Sequence, residues 1–552
     1  MADPCTAPRA ENHEIQEQFQ QQNWPGVVRL AKGLPVLTPE DQFALGMAQA
    51  HLRRFADAEH ALRAGERECP EDKRFPTELA GVAFEQKHYP AAAQWLRRAQ
   101  HLDPADSYVS NFLGTVYFLS GNLDAALQAW NRVQKPMIAN LDLDPHLRVH
   151  RLLLGRAVAF SPHAVLEEPQ FATTALRLDG LGIFPAWTLH LNALPDGQFD
   201  AVFRAQEQDG FGSSPLEAAL SAFGGLPYET VYPSYANLRH SATNVESLFR
   251  WDAQKRRAWI ALSAPLNQLP WWRWQISADL RNENWAVRRS FTGTAPVLAS
   301  LNLEREAFDA TLTSLSTARL QWSAGGEVTH RDFRTVVPGT ALTTPLLTSG
   351  FELGQLASVR APLVHLPGHR FTLDGSASSV FARTFSSPSY ASETLQGSAL
   401  ADWYPQMQGD RYEFSQQLRG GRIFGTAPFD DLFLFGMDRD DTNLELRAHI
   451  ATRDGRKGSA PIGNGYLLSN TDFYRRLYTN GLVTIHVGPL FDVGRMVAPN
   501  SALSSQQWLL DAGIEARLTV LHTSVVLSYG RDLRTGANAF WGTAAPPVNN
   551  LP

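Results

Sequence analysis

The sequence predicts a multidomain chain: an all-α repeat array, a small α+β module and a C-terminal transmembrane antiparallel β-barrel of about 16 strands. Three observations carry this reading. Small residues and prolines recur at a spacing of 34 through the first third of the chain. Next comes a short region whose patterns run strand, helix, helix, strand, strand. From residue 213 onward, apolar and polar residues alternate in one segment after another. At 552 residues the chain is too long for one ordinary domain. The expected divisions are a disordered N-terminus at 1–12, repeats at 13–140, the module at 146–212 and the barrel at 213–552.

The repeats are read from three registers. Gly46, Ala58, Leu62 and Pro70 are followed by Ala80, Ala92, Leu96 and Pro104, then by Gly114, Ala126 and Trp130, with Pro136 two residues early. Small residues let paired helices approach, the large residue fills the groove between units, and the proline ends the second helix. The period and pattern resemble tetratricopeptide (TPR) repeats. A degenerate first unit, from Ile15 to Leu34 with Trp24 near its turn, is expected to act as a cap. Such an array offers a concave surface to a protein partner, or serves only as a spacer.

In the next region, L152-L-L-G-R-A-V-A-F160 reads as a strand and S161-P-H-A-V-L-E-E168 as a helix start. The segment from Pro169 to Leu178 has helical spacing. Two alternating strands, W187-T-L-H-L191 and F199-D-A-V-F-R-A205, flank the turn Pro195-Asp196-Gly197. This order, with L181-G-I-F184 and the P-D-G turn, resembles a polypeptide-transport-associated (POTRA) domain. The resemblance implies a sheet edge able to add a client or accessory strand.

Alternation is clearest in W272-R-W-Q-I-S-A-D-L280, with Trp272, Trp274, Ile276, Ala278 and Leu280 on one face and Arg273, Gln275, Ser277 and Asp279 on the other. In L510-D-A-G-I-E-A-R-L-T-V520, Leu510, Ile514 and Leu518 likewise oppose Asp511, Glu515 and Arg517. Long strands, polar faces with ions of both signs, and Trp259, Trp271, Trp272, Tyr529 and Trp541 placed as an aromatic girdle favour a membrane barrel over a soluble sandwich. The 340 residues from 213 onward, at about 20 to 22 per strand and turn, set the strand count. A barrel reading implies an exported chain whose leader has been removed, with Met1 added.

Within this region stand L446-R447-A448-H449 and L490-F491-D492-V493-G494. They resemble two motifs of the outer-membrane assembly-factor superfamily, which includes BamA, TamA and the two-partner-secretion transporters. In that family a loop returning into the lumen carries a V-R-G-F/Y type motif, and a later strand carries an F-x-D-x-G type motif whose Asp pairs with the loop Arg. Carried over, the resemblance implies a pair between Arg447 and Asp492, with Leu446, Ala448, His449, Leu490, Phe491 and Gly494 as motif neighbours. Here Ala448 replaces the family's Gly, His449 its aromatic residue and Leu490 its Phe. The run T426-A-P-F-D-D-L-F-L-F-G436 resembles the approach to that loop, and S528-Y-G-R-D-L-R-T-G536 the closing strands, the last ending near Trp541. Without the resemblance, each charge reads as a solvated lumen residue on a polar face.

The resemblance implies a non-enzymatic factor in the bacterial outer membrane that receives client polypeptide in the periplasm and inserts or exports it through the barrel. Its partners would be outer-membrane lipid, the client, and a periplasmic accessory protein on the repeats or the POTRA-like module. The net charge of −6 offers nucleic acid no basic footprint. No cofactor or metal is indicated: Cys5 and Cys69 are the only cysteines, suited at most to one disulfide, and hydrolase, zincin and P-loop motifs are missing. Asp430-Asp431 and Asp440-Asp441 read as solvated loop charge. Lys255-Arg256-Arg257 beside Trp259 reads as an exposed turn or a contact for lipid phosphate. Two rival expectations are a TPR-containing polysaccharide-export porin, with an open carboxylate-rich lumen and no loop pinned by Arg447, and a soluble repeat protein carrying a β-sandwich.

Overall fold

The computed structural model describes residues 12–212, 219, 222–223, 225–288, 296–405, 411–438, 444–499, 503, 507–520 and 523–545. The expected disordered start up to residue 11, with Cys5 of the candidate disulfide, lies outside them, as do Asp440, Asp441 and the tail from 546. The chain divides into two compact units. One is built on the N-terminal helices, with 163–168 and 195–199; the other holds 140–162, 169–194 and everything from 200 onward.

The first unit contains four helix pairs among the described residues: His13–Gln20 with Trp24–Lys32, Pro39–His51 with Phe55–Glu68, Arg74–Glu85 with Tyr89–Leu102, and Ser107–Leu119 with Leu123–Trp130. Pro70 and Pro104 each lie two residues past a helix end, where a proline cannot continue the ladder. The 34-residue period has an electrostatic counterpart: Arg74 Nη2 meets Glu40 Oε2 at 2.8 Å, one repeat apart. Thr38 and Asp41 form a capping box at the second pair. The small positions serve close approach. A Cβ built on Gly114 would stand 2.2 Å from the Trp130 ring. Gly114→Val is therefore expected to destabilise the array by roughly 1–3 kcal/mol, checked as a lower-temperature helical transition in circular dichroism melts of the full chain.

Next in the chain comes a three-stranded sheet in the order Ile138–Leu143, Phe199–Gln206, Ala186–Ala193, accompanied by helices Arg151–Ala157 and Glu168–Leu181. The strand, helix, helix, strand, strand order is present, but two assignments within it change. The 152–160 run begins as helix, because the His150 side chain caps it at Leu152 N and Leu153, Leu154 and Ala157 share a buried face. A short apolar run carries no period that separates helix from strand. The first strand is instead I138-A-N-L-D-L143, and 161–167 is non-helical, the second helix starting at Glu168.

The remainder forms a closed barrel of eighteen strand segments among the described residues. Fourteen have eight residues or more, the longest being Leu269–Arg288 and Val297–Thr317. The count exceeds the expected 16 because short segments enter the sheet. Tyr232-Pro233 separates Thr230–Val231 from Ser234–Leu238, as a proline without an N–H does. A loop hairpin, Thr452–Arg453 with Arg456–Lys457, joins Leu269–Arg288 at Trp285. The last strand runs to Ala545, past the expected end near Trp541.

Alternation sorts the wall. Ser277 and Asp279 are buried inward, whereas Ile276 and Leu280 are 48% and 43% exposed on the outside. Phe308, Val328, Leu353, Phe381 and Leu395 continue this outer apolar face on successive strands. Water would penalise so extended an apolar surface and hydrocarbon suits it, so the barrel is transmembrane. Trp272 and Trp322 pack edge to face at one rim, 5.4 Å between centroids. Trp259 is a correction: it is 2% exposed and packs inward with Tyr232 and Leu248, because it shares parity with inward Arg257 while Ile260 faces out. No helix is long and apolar enough to cross a membrane among the described residues, so the crossing is made by strands.

The α+β module is tied to the barrel by backbone caps. Arg273, on the inward face of its strand, donates from Nη1 to Gly180 O at 2.7 Å and Leu181 O at 3.1 Å, and Asn244 donates to Leu181 O at 3.0 Å. These side chains satisfy carbonyls that the end of helix Glu168–Leu181 leaves open.

Candidate functional site

Between strands Tyr412–Gly425 and Gly465–Thr479, the described residues 426–438 and 444–464 pack within the barrel. Phe429, Phe433, Phe435, Leu444, Leu446 and Ile462 form one buried cluster with the wall residues Trp285, Leu301, Leu303, Tyr466, Leu468 and Met496. Trp285 and Phe429 meet edge to face at 5.1 Å, as do Phe433 and Tyr466 at 4.6 Å. This core is built by a loop rich in Phe and Leu that has no apolar alternative inside a polar-lined lumen.

At the loop's tip, Arg447 and Asp492 are 3% and 0% exposed. Arg447 Nη2 donates to Asp492 Oδ1 at 2.5 Å, Nε to Oδ2 at 3.0 Å, and the Arg447 backbone N to Oδ2 at 2.9 Å. One carboxylate therefore holds both the side chain and the main chain of the loop residue. Arg447 Nη1 reaches Asp472 Oδ1 at 2.5 Å and Glu515 Oε2 at 3.3 Å. Asn470 donates to Asp492 Oδ1 at 2.8 Å and to Glu445 O at 2.8 Å. Tyr474 donates its hydroxyl hydrogen to Glu515. Fork-shaped guanidinium recognition of carboxylates sets geometry as well as energy.

The next two residues use a neighbouring strand. Ala448 N donates to Asp511 Oδ2 at 2.7 Å, and His449 Nδ1 lies 3.0 Å from the same oxygen. Two successive backbone amides of the loop thus donate to carboxylates of two different strands. Ala448 does not adopt a left-handed backbone, so this turn needs no glycine there. His449, in place of an aromatic residue, supplies a polar contact to Asp511. The required close approach is provided across the interface: a Cβ on Gly530 would stand 2.5 Å from Arg447 O and 2.6 Å from Arg447 C.

Of the motif neighbours, Leu446, Ala448, His449 and Leu490 are buried, and Gly494 faces Phe435 of the loop. Phe491 is 41% exposed on the outer face and does not join the site. Asp472, Glu515, Asn470, Tyr474 and Gly530 were not singled out as site residues from the sequence. Only the inward parity of Glu515 and Asp511 offered a signal.

Further ionic contacts within the lumen, most of them between loop and wall, correct two expectations. Lys255 Nζ meets Asp438 Oδ1 at 2.9 Å, and Arg257 Nη2 meets Asp279 Oδ2 at 2.8 Å, both pairs buried. Alternation turns these two cations of the basic run into the lumen, away from lipid. Asp430 and Asp431 are ion-paired and not free loop charges: Oδ2 and Oδ1 lie 3.1 and 3.0 Å from fully buried Arg331. Lys457 Nζ meets Glu283 Oε2 at 2.8 Å. Among the described residues, no group of His, Cys, Asp and Glu is arranged to hold a metal ion.

Fold and site define the class: a transmembrane β-barrel with an inward loop held against its wall by a buried Arg–Asp contact and a surrounding ionic network. The tetratricopeptide repeat family model matches residues 43–107. Among solved structures, the chain is similar to BamA from Haemophilus ducreyi lacking POTRA domains 1-3, at 10% identity and TM-score 0.42, over 74% of this chain and 84% of that one. It is also similar to CdiB from Acinetobacter baumannii, at 13% and 0.45 over 74% and 73%, and to CdiB from Escherichia coli, at 11% and 0.44 over 75% and 75%. No curated protein sequence matches.

Proposed function

We propose that this protein is a non-enzymatic assembly or translocation factor of the bacterial outer membrane, which receives a client polypeptide in the periplasm and inserts or exports it at the barrel. The observation that carries the reading is the pinned loop, with Arg447 held by Asp492 at 2.5 Å. A passive polysaccharide conduit needs an open lumen, whereas this loop contributes a hydrophobic core to the barrel interior. The sheet closure offers a place for the client. It lies between the eight-residue strand Asn538–Ala545 and the short segments Thr230–Val231 and Ser234–Leu238. Few ladder bonds can form over such lengths, and a client strand could pair its backbone there while entering lipid. The repeats and POTRA-like module would receive the client or an accessory protein on the periplasmic side. Folding into the bilayer would supply the drive.

The test is reconstitution of the full chain in liposomes with a purified, unfolded β-barrel polypeptide as client. The expected result is at least tenfold faster client folding than in empty liposomes, and a crosslink to the client from a photoreactive residue at Phe540 on the last strand. Polysaccharide flux without acceleration or crosslink would replace this reading with the export porin.

A further inference from the structure

One end of the barrel has short strand connections, such as Ala318-Arg319, and the other has longer ones, among them 426–464. At the long-loop end, five arginines stand on the outer wall. Arg256, Arg383, Arg422, Arg495 and Arg531 are exposed, each within four residues of the loop-side end of its strand. Parity places them outside. Arg256 alternates with lumen-facing Lys255 and Arg257, and the other four follow the outward Phe381, Leu418, Phe491 and Tyr529 at even spacing.

These cations lie within the apolar surface and not beyond it. Phe385 and Phe424 are exposed two residues nearer the loops than Arg383 and Arg422. Arg495 lies over the Trp508 ring at 5.8 Å, and Trp251 stands opposite Arg256 in the ladder. A guanidinium facing lipid is costly unless its head reaches the interface and meets a counter-charge. Among the described residues, no carboxylate pairs with Arg256, Arg383, Arg422 or Arg531. On the outer face of these strands and those between them, the only described carboxylate is Glu393. Elsewhere on the wall the charges answer each other, as Arg334 does with Asp332 and Glu304.

Two further features give the band a direction and a centre. On the short-turn side, the described outer strand faces hold one arginine, Arg475. At the centre, Arg422 is opposite Gly465 and Arg495 is opposite Leu467 on the strand between them, a Cα separation of about 12 Å from strand spacing and rise. Gly465 has no side chain to block the way, and Arg422 extends over it: a Cβ there would stand 3.0 Å from Arg422 Cδ and Nη1. Like charges directed toward each other are stabilised by an anion between them. The same repulsion disfavours a second copy of this wall as the occupant.

We propose that this band seats phosphorylated lipid headgroups of the loop-side leaflet, with Arg422 and Arg495 donating to phosphate oxygens. The guanidinium fork matches phosphate geometry, and the surrounding aromatic and aliphatic side chains lie against the acyl chains. The inference rests on the transmembrane barrel and is independent of whether the chain assembles a client.

The experiment titrates the purified full chain, in uncharged detergent micelles, with bis-phosphorylated lipid A and with its dephosphorylated form, bound lipid being counted by native mass spectrometry. The expected result is saturable binding of the phosphorylated lipid alone. Binding should weaken at least tenfold when Arg383→Gln, Arg422→Gln and Arg495→Gln are combined, recover mostly in the matching lysine triple, and stay unchanged in Arg475→Gln. All variants should keep heat-modifiable gel migration, since the substituted side chains lie outside the lumen network. The proposal is overturned if the phosphorylated lipid does not saturate, if the dephosphorylated form binds as well, or if the glutamine triple binds like the parent chain. Equal weakening by Arg475→Gln would overturn the leaflet preference, and displacement of the lipid by inorganic phosphate at matched concentration would overturn the lipid assignment.

Discussion

Asp492→Ala is expected to release the loop tip and abolish most client assembly while the barrel still forms. The substitution removes the acceptor for Arg447 Nε, Nη2 and backbone N together, and strands Asn470 Nδ2 with one partner, Glu445 O. Opening a buried ion pair costs about 3–5 kcal/mol; the lower end applies here, because Asp472 and Glu515 still face the guanidinium. The barrel ladders involve none of these side-chain contacts. Heat-modifiable migration should therefore persist, while a cysteine replacing Ser459, 1% exposed in the seated loop, becomes reactive to an impermeant maleimide. Client assembly equal to the parent chain in this variant would count against the mechanism.

Gly530→Ala is expected to produce the same released state without removing a charge. The added Cβ would collide with the Arg447 carbonyl and the Ala448 amide. Backbone atoms on both sides leave no flexible side-chain end to move, so overpacking at the upper end of about 1–3 kcal/mol is expected. Labelling of Ser459→Cys in this background should match that in Asp492→Ala. If Gly530→Ala leaves the loop closed and assembly intact, the tip is held more loosely than its contacts imply.

The two variants separate the contributions to one geometry. Asp492 supplies charge and hydrogen-bond direction; Gly530 supplies the space that lets the loop backbone reach the wall. In a buried ion pair the desolvation penalty offsets much of the attraction, so its main consequence is register. Here the register places two successive amides, Arg447 and Ala448, on carboxylates from two neighbouring strands.

Much of the fold is legible in the sequence because periodicity is a local property. The spacing of Gly46, Ala80 and Gly114 implies stacked helix pairs wherever they lie in space, and the parity of Asp279 against Ile276 sorts lumen from lipid without knowledge of neighbouring strands. Leu152–Leu154 was misread because a run of three leucines has no period, and Trp259 because residue type was weighed above parity. Of the site, Arg447 and Asp492 entered through motif likeness, whereas Asp472, Glu515 and Asp511 sit among many inward carboxylates with nothing local to mark them.

The sequence by itself determined which residues form helices and strands and which strand face meets lipid, since both follow from repeats of 34 and 2 along the chain. Only the tertiary structure decided which charges meet. Arg447 and Glu515 are 68 residues apart, Lys255 and Asp438 183, and Asp430 and Arg331 99. Barrel closure and the loop's path into the lumen bring these together, and neither is encoded in the neighbourhood of any one residue.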